Sequence, residues 1–188
     1  MRRLLLLAAL VFPAAAAHAQ IFSVYGTFSP VQISNIPNSS TTTTSYWAQG
    51  FGGGVTFGIL PIGPIHIGLD LRGSSKPGAN GADTVLAGLR VGVKPPLIRI
   101  KPYIQASGGY LGPRPLLVNS PLPAGTVSHD EYAMWEILGG IDYPLLRILD
   151  LRVIEVGGGK GYDVSGATST NVPNISILTV NTGLVLHF

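Results

Sequence analysis

From Ile65 to Arg72 the chain reads Ile-His-Ile-Gly-Leu-Asp-Leu-Arg, with a branched aliphatic at every odd position and His, Gly, Asp or Arg at every even one. A helix repeats every 3.6 residues and would scatter these charges around its whole circumference. A strand repeats every two residues and puts all four aliphatics on one face. Period-two alternation of this kind recurs in eight segments, about 21–31, 47–59, 64–73, 83–94, 98–111, 131–143, 147–157 and 175–188. Each is as long as a tilted strand must be to cross the hydrocarbon layer, roughly 9–11 residues or more.

The apolar faces of these segments need a lipid neighbour. Charged residues are only 11% of the chain, against about 25% in soluble domains. A water-soluble fold would struggle to cover its surface with so few charges. An open sheet edge in hydrocarbon would leave amide groups unpaired at several kcal/mol each, so strands that cross a membrane must close on themselves. The expected fold is therefore all-β: an eight-stranded antiparallel transmembrane β-barrel with an up-and-down meander.

The connections alternate in length. Leu60-Pro61-Ile62-Gly63, Pro95-Pro96-Leu97 and Pro144-Leu145-Leu146 are short, whereas 32–46, 74–82, 112–130 and 158–174 are long and rich in Ser, Thr, Asn, Gly and Pro. This asymmetry matches tight periplasmic turns and longer extracellular loops. Aromatics near strand ends suit interfacial girdles, Phe22, Phe57, Tyr143 and Phe188 at the turn side, with Phe28, Tyr46, Trp47, Tyr110 and Trp135 at the loop side.

With the apolar faces outward, the inner wall receives the polar ones, and eight strands leave a lumen about wide enough to be filled by side chains. Asp70, Arg72, Arg90, Glu136, Asp142, Asp150 and Arg152 then form a structural ion network in the lumen. Glu136 and Arg152, on neighbouring strands, are the expected pair. Strict alternation would expose Glu155 to lipid, so either a bulge turns it inward or it lies above the apolar band. Gly50, Gly52, Gly54 and Gly58 leave a bare inner track on the second strand, over which Tyr25 can lie.

The N-terminus carries an export signal. Arg2 and Arg3 precede an apolar run from Leu4 to Phe12, and Ala17-His18-Ala19 offers a small-residue cleavage site. The expected organisation is a signal peptide at 1–19 and one barrel domain at 20–188. The formal charge of +3 falls to +1 without Arg2 and Arg3, so the basic balance does not imply a nucleic-acid partner. No cysteine is present, so stability must come from hydrogen bonding and packing.

Motifs with chemical potential are few. Ser128-His129-Asp130-Glu131 contains triad residue types, but adjacent side chains in an extended segment point apart, whereas catalytic sets converge in space. Gly157-Gly158-Gly159-Lys160-Gly161 lacks the Ser or Thr and the helix of a phosphate loop and is read as a flexible loop. The four histidines, His18, His66, His129 and His187, have no paired spacing, and no metal site or cofactor is expected.

The whole mature pattern resembles the small outer-membrane barrels of the OmpA/OmpX/OmpW type. Asn181, Gly183, Leu186 and Phe188 are spaced like that family's C-terminal assembly signal of a polar residue, Gly and two hydrophobic or aromatic residues. The resemblance implies a monomer in the bacterial outer membrane with lipids as its neighbours. It also implies periplasmic chaperones and the barrel assembly machinery as partners during biogenesis. The larger OmpA proteins carry a periplasmic peptidoglycan-binding domain, and this chain is expected to lack it. The expected function is non-enzymatic, contributing to envelope integrity or presenting surface loops. The alternatives are OmpW-like passage of small apolar molecules and a lipid A-modifying barrel enzyme. The enzyme would need a Ser/His pair at the outer rim.

Overall fold

A computed structural model describes residues 22–36, 44–77, 81–113, 131–164 and 174–188. The expected signal peptide, His18, His129 and most of the long connections lie outside them. Ten strand segments follow in order: β1 (Phe22–Phe28), β2 (Val31–Ile36), β3 (Thr44–Ala48), β4 (Phe51–Ile62), β5 (Ile65–Lys76), β6 (Ala82–Val93), β7 (Lys101–Pro113), β8 (Tyr132–Pro144), β9 (Leu149–Asp163) and β10 (Ile175–His187). They make eight barrel strands. Both β1 and β2 pair with β10 and form one strand broken at Ser29-Pro30, where proline has no N–H to give. Segments β3 and β4 likewise form one strand broken at Gln49-Gly50, and Ser29 N donates to Gly50 O at 2.8 Å across the two breaks. All pairs are antiparallel neighbours in sequence, and β1 closes the cylinder against β10 from Ser23↔His187 to Phe28↔Thr182.

At the turn end, β4 and β5 meet in a two-residue hairpin, Gly63-Pro64, with Ile62 opposite Ile65. Gly63 has φ of 60°, the left-handed value that the first hairpin position requires, and proline's fixed φ suits the second. The turn is therefore tighter, and later in the sequence, than the Leu60–Gly63 connection expected. The next connection is longer, because β7 begins at Lys101 and leaves Ile98 and Ile100 in the turn rather than on a strand.

The outer wall is apolar as expected: Phe57, Ile65, Leu69, Leu71, Leu89, Ile104, Ile137, Leu184 and Leu186 are all exposed. Phe22 packs at a tilt against Phe57 at 5.1 Å and Phe188 at 5.9 Å near the turn end, while Phe28 meets Phe51 edge-on at 5.7 Å. Trp47, Tyr110, Trp135 and Tyr162 also face outward.

At the loop end the polarity inverts. Val31, Ile33, Leu86, Leu111, Met134 and Ile177 point into the lumen and are 5% exposed or less, and they pack with Tyr46 into a continuous apolar core. Several outward positions there are polar: Ser45, Ser75, Asp83 and Glu131 are exposed, along with Trp47, Tyr162 and Val164. This end is built like a water-soluble barrel, with its oil inside. The inversion is why 32–46 and 158–174 read as loops: strand β2 continues to Ile36, β3 resumes at Thr44 and β9 runs to Asp163. Tyr46, expected in the outer girdle, belongs to the inner core. The glycine run at 157–161 is strand, not flexible loop.

Candidate functional site: the lumen and its turn-end mouth

Below the apolar core, inward side chains from all eight barrel strands meet in one polar network. Asp70 accepts from Tyr25 Oη at 2.9 Å, Thr56 Oγ1 at 3.0 Å, Gln105 Nε2 at 2.7 Å and Arg72 Nε at 3.0 Å. Arg72 also reaches Glu155, with Nη1 2.9 Å from Oε1, and lies 3.7 Å from Glu136 Oε1. Glu155 accepts further from Tyr103 Oη at 2.5 Å and Asn181 Nδ2 at 2.6 Å. Arg152, 0% exposed, bonds Asp142 Oδ1 at 3.1 Å through Nε and approaches Glu155 Oε2 at 3.4 Å. Arg90 completes the layer on Asp142 Oδ2 at 2.5 Å, with its guanidinium 3.4 Å from the Tyr103 ring centroid.

Three guanidinium groups thus face four carboxylates, with two tyrosines between them. Arg152 lies 4.3 Å from the centroid of Tyr25 and 5.2 Å from that of Tyr103. Tyr25 sits directly opposite Gly54, where a Cβ would come 2.6 Å from its Cζ. Tyr103 occupies the same relation to Gly140, where a Cβ would come 2.9 Å from its Cε1. The bare glycine track that Tyr25 was expected to cover is therefore one of two.

Two expectations change. Glu136 and Arg152 do not pair. Register places Arg152 opposite Asp142 and Glu136 opposite Gly159, and six residues span about 20 Å of strand length. Glu136 instead accepts from Thr179 at 3.3 Å. Asp150 also stands apart from the layer, nearer the mouth. Glu155 is settled by a bulge: β8 pairs Ile141 with Ile154 and then Asp142 with Arg152, so Val153 is the extra residue. Val153 and Ile154 both face outward and Glu155 turns in, 0% exposed.

Of the residues proposed for the assembly signal, Asn181 is buried against Glu155 and Gly183 lies under β1, where a Cβ would be 2.8 Å from Thr27 Cα. Leu186 and Phe188 face outward at 42% and 69% exposure.

Between the ion layer and the turns lies a recess of about 720 Å³. Its polar wall carries Ser23, Lys94, Lys101, Asp150 and His187. Asp150 Oδ2 accepts from Lys101 Nζ at 2.6 Å and lies 2.7 Å from His187 Nε2, while His187 Nδ1 lies 2.8 Å from Ser23 Oγ. In the adjoining turn, burial and the neighbouring Lys101 ammonium push Lys94 below the usual lysine range. Sequence reasoning missed Lys101 and His187, although both fall on inward positions between outward Ile100 or Leu186 and their neighbours. Among the described residues no group of three or more His, Asp or Glu is placed to hold a metal ion.

No family model and no curated protein sequence matches the chain. Solved structures do. Neisserial surface protein A superposes with a TM-score of 0.52 at 16% identity, covering 90% of this chain and 99% of that one. This chain has the fold of the small outer-membrane β-barrels. The N-terminal barrel domain of Pseudomonas aeruginosa OprF aligns with a TM-score of 0.48 at 11% identity, over 88% of this chain and 98% of that domain. The outer membrane protein AlkL aligns at 0.47 and 13% identity, over 90% of each chain. In this barrel the apolar outer wall faces lipid, and the polar residues lie in the lumen.

Proposed function

We propose that the protein is a sealed, non-porous component of the bacterial outer membrane, exported by its first 19 residues and inserted with its turns toward the periplasm. In this reading it supports envelope integrity and presents its loop end outside the cell, and the ion layer is a structural, non-enzymatic plug. The observation that carries it is the Asp70–Arg72–Glu155 bridge, which joins opposite walls of the barrel beneath a closed apolar core. Asp70 and Glu155, so enclosed, are held by several partners each, and a water path would dissolve those bonds. Lipids are its standing neighbours, and the barrel assembly machinery and periplasmic chaperones its partners in biogenesis.

The test is conductance in planar bilayers. Purified protein is expected to give no persistent open channels at any applied voltage that the bilayer survives. Stable single-channel steps that scale with salt concentration would overturn the sealed reading.

A further inference from the structure

The recess at the turn end holds an arrangement that the plug does not need. Ser23 comes from β1, His187 stands directly opposite it on β10, and Asp150 comes from β9 beside β10. We propose that this recess hydrolyses small carboxylic esters, with Ser23 as nucleophile, His187 as its base and Asp150 as the residue that positions the base. The proposal goes beyond the sealed-barrel reading and does not depend on it, because the recess lies below the seal.

Proton placement follows from the partners. Asp150, bonded to the Lys101 ammonium at 2.6 Å, is a carboxylate and can only accept. The hydrogen of the 2.7 Å contact must therefore sit on His187 Nε2. In the neutral ring Nδ1 is then the unprotonated nitrogen, and the 2.8 Å contact to Ser23 is a hydrogen bond donated by the hydroxyl. A hydroxyl aimed at an unprotonated imidazole nitrogen, with a carboxylate fixing the tautomer from the far side, is what hydroxyl activation requires. The ring is turned relative to the usual serine hydrolases, where Nε2 faces the serine. The two nitrogens are comparable bases, and the essential point is that the one facing the hydroxyl is free of hydrogen.

The surroundings suit an ester. Ser23, His187 and Asp150 all line the same 720 Å³ recess, within the roughly 300–1,000 Å³ range of small-molecule sites. Arg90, Lys94 and Lys101 line it as well and give it a cationic wall, with Arg90 and Lys101 already bonded to Asp142 and Asp150. Ser23 Oγ attacks the ester carbonyl as its proton passes to His187 Nδ1. The tetrahedral intermediate expels the alcohol, which takes that proton, and leaves an acyl-Ser23. Water, deprotonated by His187, then releases the carboxylic acid and restores the hydroxyl.

The test uses the folded full barrel in detergent micelles with 4-nitrophenyl butyrate, and in parallel a fluorophosphonate probe followed by peptide mass analysis. Turnover above that of heat-unfolded protein is expected, together with an adduct on Ser23. Ser23→Ala removes one oxygen and should abolish both signals while the barrel keeps its heat-modifiable migration. Asp150→Asn should lower kcat about 100-fold or more, with little change in KM and a displaced pH profile. A folded wild type that hydrolyses the ester no faster than Ser23→Ala, or that takes the probe at another residue or at none, overturns the proposal.

Discussion

Replacing Arg72 with Met is expected to cost the barrel about 3–5 kcal/mol, the penalty for removing one partner from a desolvated ion set. Arg72 touches Asp70, Glu155 and Gln105 within hydrogen-bond distance and stands 3.7 Å from Glu136. Its loss leaves the layer with carboxylates that outnumber the remaining guanidinium groups by two. Asp70 keeps its bonds from Tyr25, Thr56 and Gln105, but Glu136 keeps only Thr179 and distant charges. Urea unfolding in lipid vesicles measures the change, and Arg72→Lys, which restores charge without the planar fork, should recover part of it. Stability within about 0.5 kcal/mol of wild type, the range of an ordinary surface change, would mean that the layer does not hold the barrel together.

Gly54→Val should be nearly as damaging for a different reason. A Cβ there would fall against the Tyr25 ring and the backbone of Leu71, and neither can yield, because Tyr25 is held by both oxygens of Asp70 at 2.9 Å. Overpacking of this kind costs about 1–3 kcal/mol, with the upper end expected where backbone is struck. Gly26 supplies the control: a Cβ there meets nothing within 4 Å, so Gly26→Ala should stay within about 0.5 kcal/mol of wild type. Equal effects of the two substitutions on the unfolding midpoint would remove the packing role assigned to Tyr25.

What could be read from the residues depended on whether hydropathy and position agreed. In Ile65–Arg72 outward residues are apolar and inward ones polar, so strand, face and lumen followed directly. In Val31-Gln32-Ile33-Ser34 the alternation is equally regular, but Val31 and Ile33 point inward. Read with the phase of a lipid-facing strand, this stretch looked like the start of a loop. In Gly157–Gly161 the inward residues are glycines, which carry no hydropathy signal at all. Close approach explains them: a Cβ on Gly157 would lie 2.7 Å from Leu138 Cβ, and one on Gly161 2.8 Å from Ile175 Cγ1.

Membership of the lumen was legible and pairing was not. Every ion-layer residue follows from parity except Glu155, whose orientation depends on the single extra residue Val153. Choosing Asp142 over Glu136 as the partner of Arg152 requires the register of β8 against β9, which no alternation encodes. The Ser23–His187 contact joins residues 164 positions apart. It becomes visible only once the first and last strands are known to close on one another at that register.

The barrel is a closed cylinder with lipid outside and a polarity reversal at its loop end. Absence of native cysteine allows single cysteines, each carrying an environment-sensitive fluorophore, at every position from Ile65 to Arg72 and at Gln32 and Ser34, in protein folded into vesicles. Quenching by nitroxide lipids is expected at 65, 67, 69 and 71 and weak at 66, 68, 70 and 72. At 34, an outward position opposite Ser176 and beyond the apolar belt, water-soluble quenchers should win over lipid ones, while 32, between Leu178 and Trp47, marks the boundary. Uniform quenching along 65–72, or a 3.6-residue period, would contradict a barrel, and lipid quenching at 34 equal to that at 69 would contradict the reversal.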